Sequence, residues 1–223
     1  MASILIFGKD GQVGNELQRS LLPLAPVHAV GRTQADLAEP DQIQATLNQL
    51  RPTIIVNAAA YTAVDKAETE PELAHRINAQ AVAQMATYAK STNALLVHYS
   101  TDYVFDGTQA RPYTESDTTH PINEYGRSKL AGEQAILASG CKHLVFRTSW
   151  VYAGLGNNFM RTMMRLAQQR DQLTVVDDQI GTPTSAELLA DVTALAIWAH
   201  QKQQLDTGLY HLTAKGEISW CGF

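Results

Sequence analysis

Two side chains that could move a proton stand one helical turn apart in this chain, Tyr125 and Lys129, within Tyr125-Gly126-Arg127-Ser128-Lys129. Residues four apart project from one helix face. Asn123 predicts the cap that opens this helix, which runs on into Leu130, Ala131 and Gln134. An ammonium beside a phenol favours the phenolate, so the pair is expected to lower the tyrosine pKa from its usual value near ~10. Tyr125 would then act as general acid for an oxygen that gains charge as a hydride arrives. Ser100 and Thr101 add hydroxyls at the C-terminal end of the strand that begins with the apolar run Ala94-Leu95-Leu96-Val97. At the C-terminal end of a parallel strand, where open sheets bind ligands, such a hydroxyl can donate to a carbonyl oxygen. A tyrosine and a lysine can also meet by chance on a solvated helix, and Ser-Thr-Asp is an ordinary turn, so neither feature is decisive alone.

A cofactor for such chemistry has a place at the start of the chain. Gly8, Gly11 and Gly14 follow the apolar run Ser3-Ile4-Leu5-Ile6-Phe7, and a helix-compatible stretch continues through Leu17, Leu21 and Leu22. A buried strand, a glycine turn and a helix start together bind a dinucleotide pyrophosphate: glycines let the backbone approach the phosphates, and the free N–H groups of the helix face the anion. Glycines also punctuate structural turns, so the downstream hydroxyls and the Tyr/Lys pair are what strengthen the reading.

The elements needed to position these residues are legible as apolar runs. Val27-His28-Ala29-Val30, Ile54-Ile55-Val56, Leu95-Leu96-Val97 and Leu144-Val145-Phe146 read as buried parallel strands, with helical spacing at 42–50 and 72–90 between them. The alternation predicts an α/β fold, a doubly wound, Rossmann-like parallel sheet with helices on both faces. Beyond Trp150 the pattern predicts a loop at 154–158, a helix over 159–170, a short strand at Leu173-Thr174-Val175-Val176, a helix after Pro183 through Leu188, Ala194 and Trp198, and a strand at 208–212. We therefore expect a dinucleotide-binding domain over residues 1–150 and a small, partial substrate lobe over 151–223, interleaved with the sheet.

In this order, Gly8-Lys9-Asp10-Gly11-Gln12-Val13-Gly14, Val56-Asn57-Ala58-Ala59-Ala60-Tyr61-Thr62-Ala63-Val64-Asp65, Ser100-Thr101-Asp102-Tyr103-Val104-Phe105, Arg147-Thr148-Ser149-Trp150-Val151-Tyr152 and 178–184 resemble the extended short-chain dehydrogenase/reductase family over essentially the whole chain. The wording of the segments is similar to its nucleotide-sugar reductases. The resemblance implies hydride transfer from NADPH or NADH to the C4 ketone of dTDP-4-dehydro-L-rhamnose, giving dTDP-L-rhamnose. It implies that Thr101 and Tyr125 hold the carbonyl oxygen and that Lys129 binds the nicotinamide ribose. Gly11, Gln12 and Val13 would face the pyrophosphate, and Ala60, Tyr61, Thr62 and Tyr99 would line the cofactor path. Asp36 and Leu37 would lie near the adenosine, while Asp102 and Trp150 would touch substrate. Trp150 as plain core packing is the other reading.

Arg32, at the end of the second strand, stands where an NAD-specific site carries an acid for the ribose 2′-hydroxyl. An arginine there could pair with a 2′-phosphate, which favours NADPH; a solvated turn arginine fits the same residue. In the resembled family some members bind magnesium between subunits through glutamates that match Glu16 and Glu187. Two carboxylates distant in sequence are a weak signal for Mg2+, no metal ligand set is read from the chain, and a homodimer stays open. Relatives continue beyond the position of Phe223, so the resemblance leads us to expect an incomplete substrate lobe and weakened turnover. A non-catalytic dinucleotide-binding regulator of this fold and a related epimerase or dehydratase remain alternatives.

Composition narrows the partners. The 223 residues carry a net charge of −5 and a pI near 5.8, which argues against nucleic acid and anionic membranes as partners. An anionic ligand must be held by local donors. Cys141 and Cys221 suggest neither a disulfide framework nor a zinc site. His98 reads as a core or supporting histidine, with no metal spacing around it. The first apolar run is too short for a signal-peptide core, so a cytoplasmic location is expected.

Overall fold

A computed structural model describes residues 2–223. The chain alternates strands and helices: β1 (Ile4–Phe7), α1 (Gln12–Ser20), β2 (Val27–Val30), α2 (Pro40–Leu50), β3 (Ile54–Asn57), α3 (Val64–Ala67), α4 (Pro71–His75), α5 (Ala81–Thr92), β4 (Leu95–Thr101), α6 (Glu124–Ser139) and β5 (Lys142–Thr148). There follow β6 (Val151–Tyr152), α7 (Phe159–Ala167), β7 (Ile180–Gly181), β8 (Thr184–Ser185), α8 (Ala186–Gln201), β9 (Gly208–His211) and β10 (Ile218–Ser219). Six strands pair in the order β2-β1-β3-β4-β5-β9, all parallel. The chain leaves β1 towards β2 and returns to β3 on the other side, so the sheet has its switch point between β1 and β3, where open α/β sheets take ligands.

Each central strand is apolar on both faces because both faces are covered. Leu5, Ile55, Leu96 and Val145 meet Ile43 and Leu47 of α2, Val82 and Met85 of α5 and Ile136 of α6. The alternate residues Ile4, Ile6, Val56, Val97 and Leu144 meet Leu17 and Leu21 near α1 and Leu189 and Ile197 of α8. This alternation turns the continuous runs of the sequence into two cores. Leu17 and Leu21 are buried as their spacing predicts, whereas Leu22 is 63% exposed. It precedes Pro23, which disfavours a helical residue before it, so the chain turns away.

Two elements differ from the sequence expectation. The helix read over 72–90 is two helices joined by a π turn at Arg76–Gln80. The turn swings Asn78 inward, where its amide binds the backbone N–H and carbonyl of Tyr61 and the Ser128 hydroxyl; such widened turns recur at functional sites. Leu173-Thr174-Val175-Val176 forms no strand. No strand pairs with it, and β-propensity counts for little without one; Val176 only accepts the Cys221 N–H. The antiparallel pair is instead β7 with β10. Beyond these, β9 joins the main sheet beside β5 and α8 packs on α1, so residues 151–223 feed both the large sheet and two small ones. No helix among the described residues is long and apolar enough to cross a membrane.

Candidate active site

The glycine turn places its backbone against the switch point. Gly8 has φ +89°, and a Cβ there would lie 2.8 Å from the Ala59 nitrogen. A Cβ on Gly14 would come within 2.0 Å of the Gly8 carbonyl oxygen. Only glycines let α1 start this close to β1 and β3. Gly11 caps α1 without a side chain, and the first turn carries no acid, so its N–H groups and positive dipole end are left to an anion.

From this turn a crevice of about 870 Å3 runs along the carboxyl ends of the strands, a size that fits a cofactor. Its walls include Gly8, Gly11, Gln12 and Val13 at one end, Arg32, Asp36 and Leu37 at the β2 edge, and Ala60, Tyr61 and Thr62 after β3. Tyr99, Tyr125 and Lys129 close it. Thirteen of the predicted site residues therefore share one crevice. Gly14 stays outside the lining and is buried, holding α1 to the loop rather than facing ligand.

The crevice also has Ser100, which the sequence singled out with Thr101 as a strand-end hydroxyl, and Thr148, which sequence reasoning missed. Their buried hydroxyls have no hydrogen-bond partner among the described residues. Buried polar atoms are normally paired, so these two fit the polar atoms of a bound nucleotide or substrate. Both stand at the ends of β4 and β5, a position the strand pattern could have flagged for Thr148 as well. Gln12 ties the glycine turn to later segments: its amide nitrogen donates to the Val151 carbonyl (3.4 Å) and its oxygen accepts from Asn158 (2.7 Å). The neighbouring Gly156 and Asn157 reach the crevice.

At the chemical end, Asn123 caps α6 by accepting the Gly126 N–H at 2.7 Å, as its position predicts. Burial, with Asp102 and Tyr103 nearby, pushes the Tyr125 phenol above its ordinary pKa, and only its contact with the Thr101 hydroxyl opposes this. Lys129 does not lower it, contrary to the sequence expectation. The reason is geometric: Lys129 Nζ turns away to donate to the Tyr99 carbonyl (2.7 Å) and lies 3.2 Å from His98 Nε2. Lys129 itself is 2% exposed, and burial pulls it down to about 8 against the opposing charge of Glu133. The Thr101 hydroxyl donates to Asp102 (3.0 Å) and accepts from the Tyr103 N–H (3.2 Å). Thr101 and Asp102 thus stand beside Tyr125 but outside the crevice lining.

Trp150 is placed differently from a substrate contact. Its ring stacks on Trp220 at 3.5 Å and 11°, and Gly181 presses on it so closely that a Cβ would lie 2.3 Å from Cε2. The flat face expected to meet substrate is taken by the protein's own side chains, and Trp150 does not line the crevice. Arg32, 73% exposed in its side chain, pairs with Asp36 at 3.1 Å. The Ala38 N–H, and then Arg32, hold the Asp36 carboxyl below its ordinary range. Glu16 pairs loosely with Arg19 and Glu187 lies in the first turn of α8. Among the described residues no cluster of three or more His, Cys, Asp or Glu could hold a metal, and nothing supports Mg2+.

A doubly wound parallel sheet with a glycine turn at its switch point, and a tyrosine and lysine on the helix beyond it, is the fold of the short-chain dehydrogenases and reductases. The model of the RmlD substrate binding domain matches residues 1–223, and the chain belongs to that family. It is similar to the dTDP-4-dehydrorhamnose reductase of Salmonella typhimurium, 54% identical over 98% of this chain and 74% of that relative. The Escherichia coli K12 protein of the same name is 53% identical over 98% and 74%. Among solved structures, the dTDP-4-dehydrorhamnose reductase of Bacillus anthracis in complex with NADP superposes with a TM-score of 0.92 at 38% identity, covering 99% of this chain and 78% of that one.

Proposed function

We propose that this protein reduces the C4 ketone of dTDP-4-dehydro-L-rhamnose to dTDP-L-rhamnose with NADPH. The observation that carries the reading is the single crevice that joins the glycine turn to Tyr125 and Lys129. The names of its relatives support the same activity, and the NADP complex of the Bacillus anthracis relative supports the cofactor. Residues 1–150 would hold most of the dinucleotide, and 151–223 would contribute to the nucleotide-sugar side. The Gln12 bonds to Val151 and Asn158 couple these two parts.

The N–H groups of Gln12 and Val13 would meet the pyrophosphate, Asp36 and Leu37 the adenosine, and Lys129 the nicotinamide ribose. When bound, the reduced nicotinamide supplies a hydride to the carbonyl carbon. Tyr125, which keeps its proton at neutral pH, would donate it to the ketone oxygen, and Thr101 would share that oxygen through its hydroxyl. Asp102, fixed by Thr101, is offered as a sugar contact at the rim.

The direct test follows the near-ultraviolet absorbance of reduced nicotinamide with this deoxysugar ketone. Loss of absorbance matched by equal product supports the reading. Tightly held NAD with no net oxidation would instead mark an epimerase, and nucleotide binding without either would mark a regulator.

The Arg32–Asp36 pair is solvent-exposed on the arginine side and costs little to break, so Arg32 is free to turn to a 2′-phosphate. Arg32→Ala is expected to raise KM for NADPH about tenfold or more, the worth of a charge-assisted hydrogen bond, and to leave KM for NADH nearly unchanged. An equal rise for both would remove Arg32 from cofactor choice. Ser100→Ala with Thr148→Val removes hydroxyls that have no partner among the described residues. Tm should hold while nucleotide or sugar affinity falls several-fold; a fall in Tm with unchanged affinities would make them structural.

A further inference from the structure

Below Lys129 lies a row of polar groups that the proposed reduction does not use. Asn57 ends β3 and is 1% exposed; His98 lies on the adjoining strand β4 and is also 1% exposed. The backbone N–H of Ala59 donates to Asn57 Oδ1 at 3.2 Å. A backbone N–H can only donate, so this contact fixes which end of the amide is oxygen. Asn57 Nδ2 therefore faces His98 Nδ1 at 3.2 Å as a donor, and Nδ1 must accept. A neutral imidazole whose Nδ1 accepts carries its hydrogen on Nε2. That Nε2–H points at Lys129 Nζ, 3.2 Å away.

An uncharged amine can accept this hydrogen through its lone pair. An ammonium cannot, because it has donors only, and one of its hydrogens would stand against the imidazole N–H. From the protein, Nζ has one clear acceptor, the Tyr99 carbonyl at 2.7 Å. We propose that Asn57 and His98 act as positioning residues that favour the uncharged form of Lys129 in the nucleotide-free site, so that in mildly alkaline solution binding of the nucleotide is coupled to uptake of a proton at Lys129 Nζ. The proton comes from solvent, and no other bond is made or broken. Lys129 gains further acceptors only from outside the protein, from the hydroxyl and phosphate oxygens that a nucleotide brings.

The surrounding charges agree. On β4, burial foremost holds His98 well below its ordinary pKa, so it stays neutral. On α6, Glu133 favours the ammonium, yet burial outweighs it and leaves Lys129 at about 8. Tyr125, also on α6, stays protonated and uncharged. Arg147 on β5 is engaged with Glu133 at 2.7 Å and blunts its effect.

This inference rests on the proposed nucleotide site. It is tested by calorimetric titration of NADP+ into the full chain at several pH values, each in two buffers of different ionisation enthalpy. Proton uptake per nucleotide should be near zero at about pH 6.5, about half a proton near pH 8, and approach one at about pH 9.5. His98→Asn would offer Lys129 a carbonyl acceptor, and Asn57→Asp would turn His98 to the Nδ1–H tautomer with Nε2 as acceptor. Either substitution favours the ammonium in the free site, and uptake near pH 8 should fall to a small fraction of the wild-type value. Nitrogen-15 shifts of the wild-type His98 ring should report the neutral Nε2–H form, which does not depend on either variant folding. Binding without proton uptake, or an Nδ1–H ring in the wild type, overturns the inference and leaves the nucleotide site standing. No binding at any pH overturns both.

Discussion

Tyr125→Phe is expected to lower kcat for ketone reduction by roughly 10²–10⁴-fold, the usual worth of a positioned general acid, with nucleotide affinity nearly unchanged. The ring would remain, and its edge contact with Tyr103, centroids 5.5 Å apart, would be kept. Only the hydroxyl that shares a hydrogen bond with Thr101 would go. Because the phenol is held above its ordinary pKa in the free site, its proton is present across neutral pH. A wild-type rate limited by this proton should be flat through neutrality and fall only in alkaline solution. Steady-state kinetics at saturating NADPH, alongside calorimetric affinity, separates the effects. Turnover within a few-fold of wild type would take the acid role away from Tyr125, while a parallel collapse of nucleotide affinity would make the hydroxyl a binding group.

The placement of Tyr125 shows what the chain alone discloses and what it conceals. The spacing of Tyr125 and Lys129 and the Asn123 cap were legible, because helix geometry is local. Strands β1, β3, β4 and β5 were legible as buried apolar runs, because both faces of a parallel sheet are covered, whereas β2, read as buried too, is an edge strand with His28 exposed. The direction of the Lys129 amino group was not, since it depends on the Tyr99 carbonyl and His98, which lie on another element. The same holds for Trp150, whose partner Trp220 comes 70 residues later. Leu173–Val176 looks like a strand in isolation, but strand formation requires a neighbour that the fold does not bring. Ser100 was legible as a strand-end hydroxyl, but its missing partner, like that of Thr148, shows only in the fold. The π turn was hidden because Asn78 is an ordinary helix residue until Tyr61 and Ser128 claim its amide.

One turn beyond Lys129 on α6, Glu133 connects the chemistry to the stability of the fold. It binds Arg147 of β5 through two hydrogen bonds, 2.9 and 2.7 Å, with side chains only 1% and 6% exposed. Arg147 also lies 5.0 Å above the Phe105 ring, and its remaining Nη1 has no partner. Glu133→Ala would strand this guanidinium as a buried, unpaired charge, which costs about 3–5 kcal/mol. Chemical denaturation should show that loss. The double change Glu133→Leu with Arg147→Met should recover most of it, because removing both charges also removes the desolvation penalty. A single-variant cost below about 1 kcal/mol would mean that water reaches the pair and screens it. A functional consequence separates from the structural one in Glu133→Gln, which keeps a partner for Arg147 but removes the charge that supports the Lys129 ammonium. The Lys129 pKa should then fall below about 8. The pH at which nucleotide binding takes up half a proton would move down with it, even where the variant folds as well as the wild type.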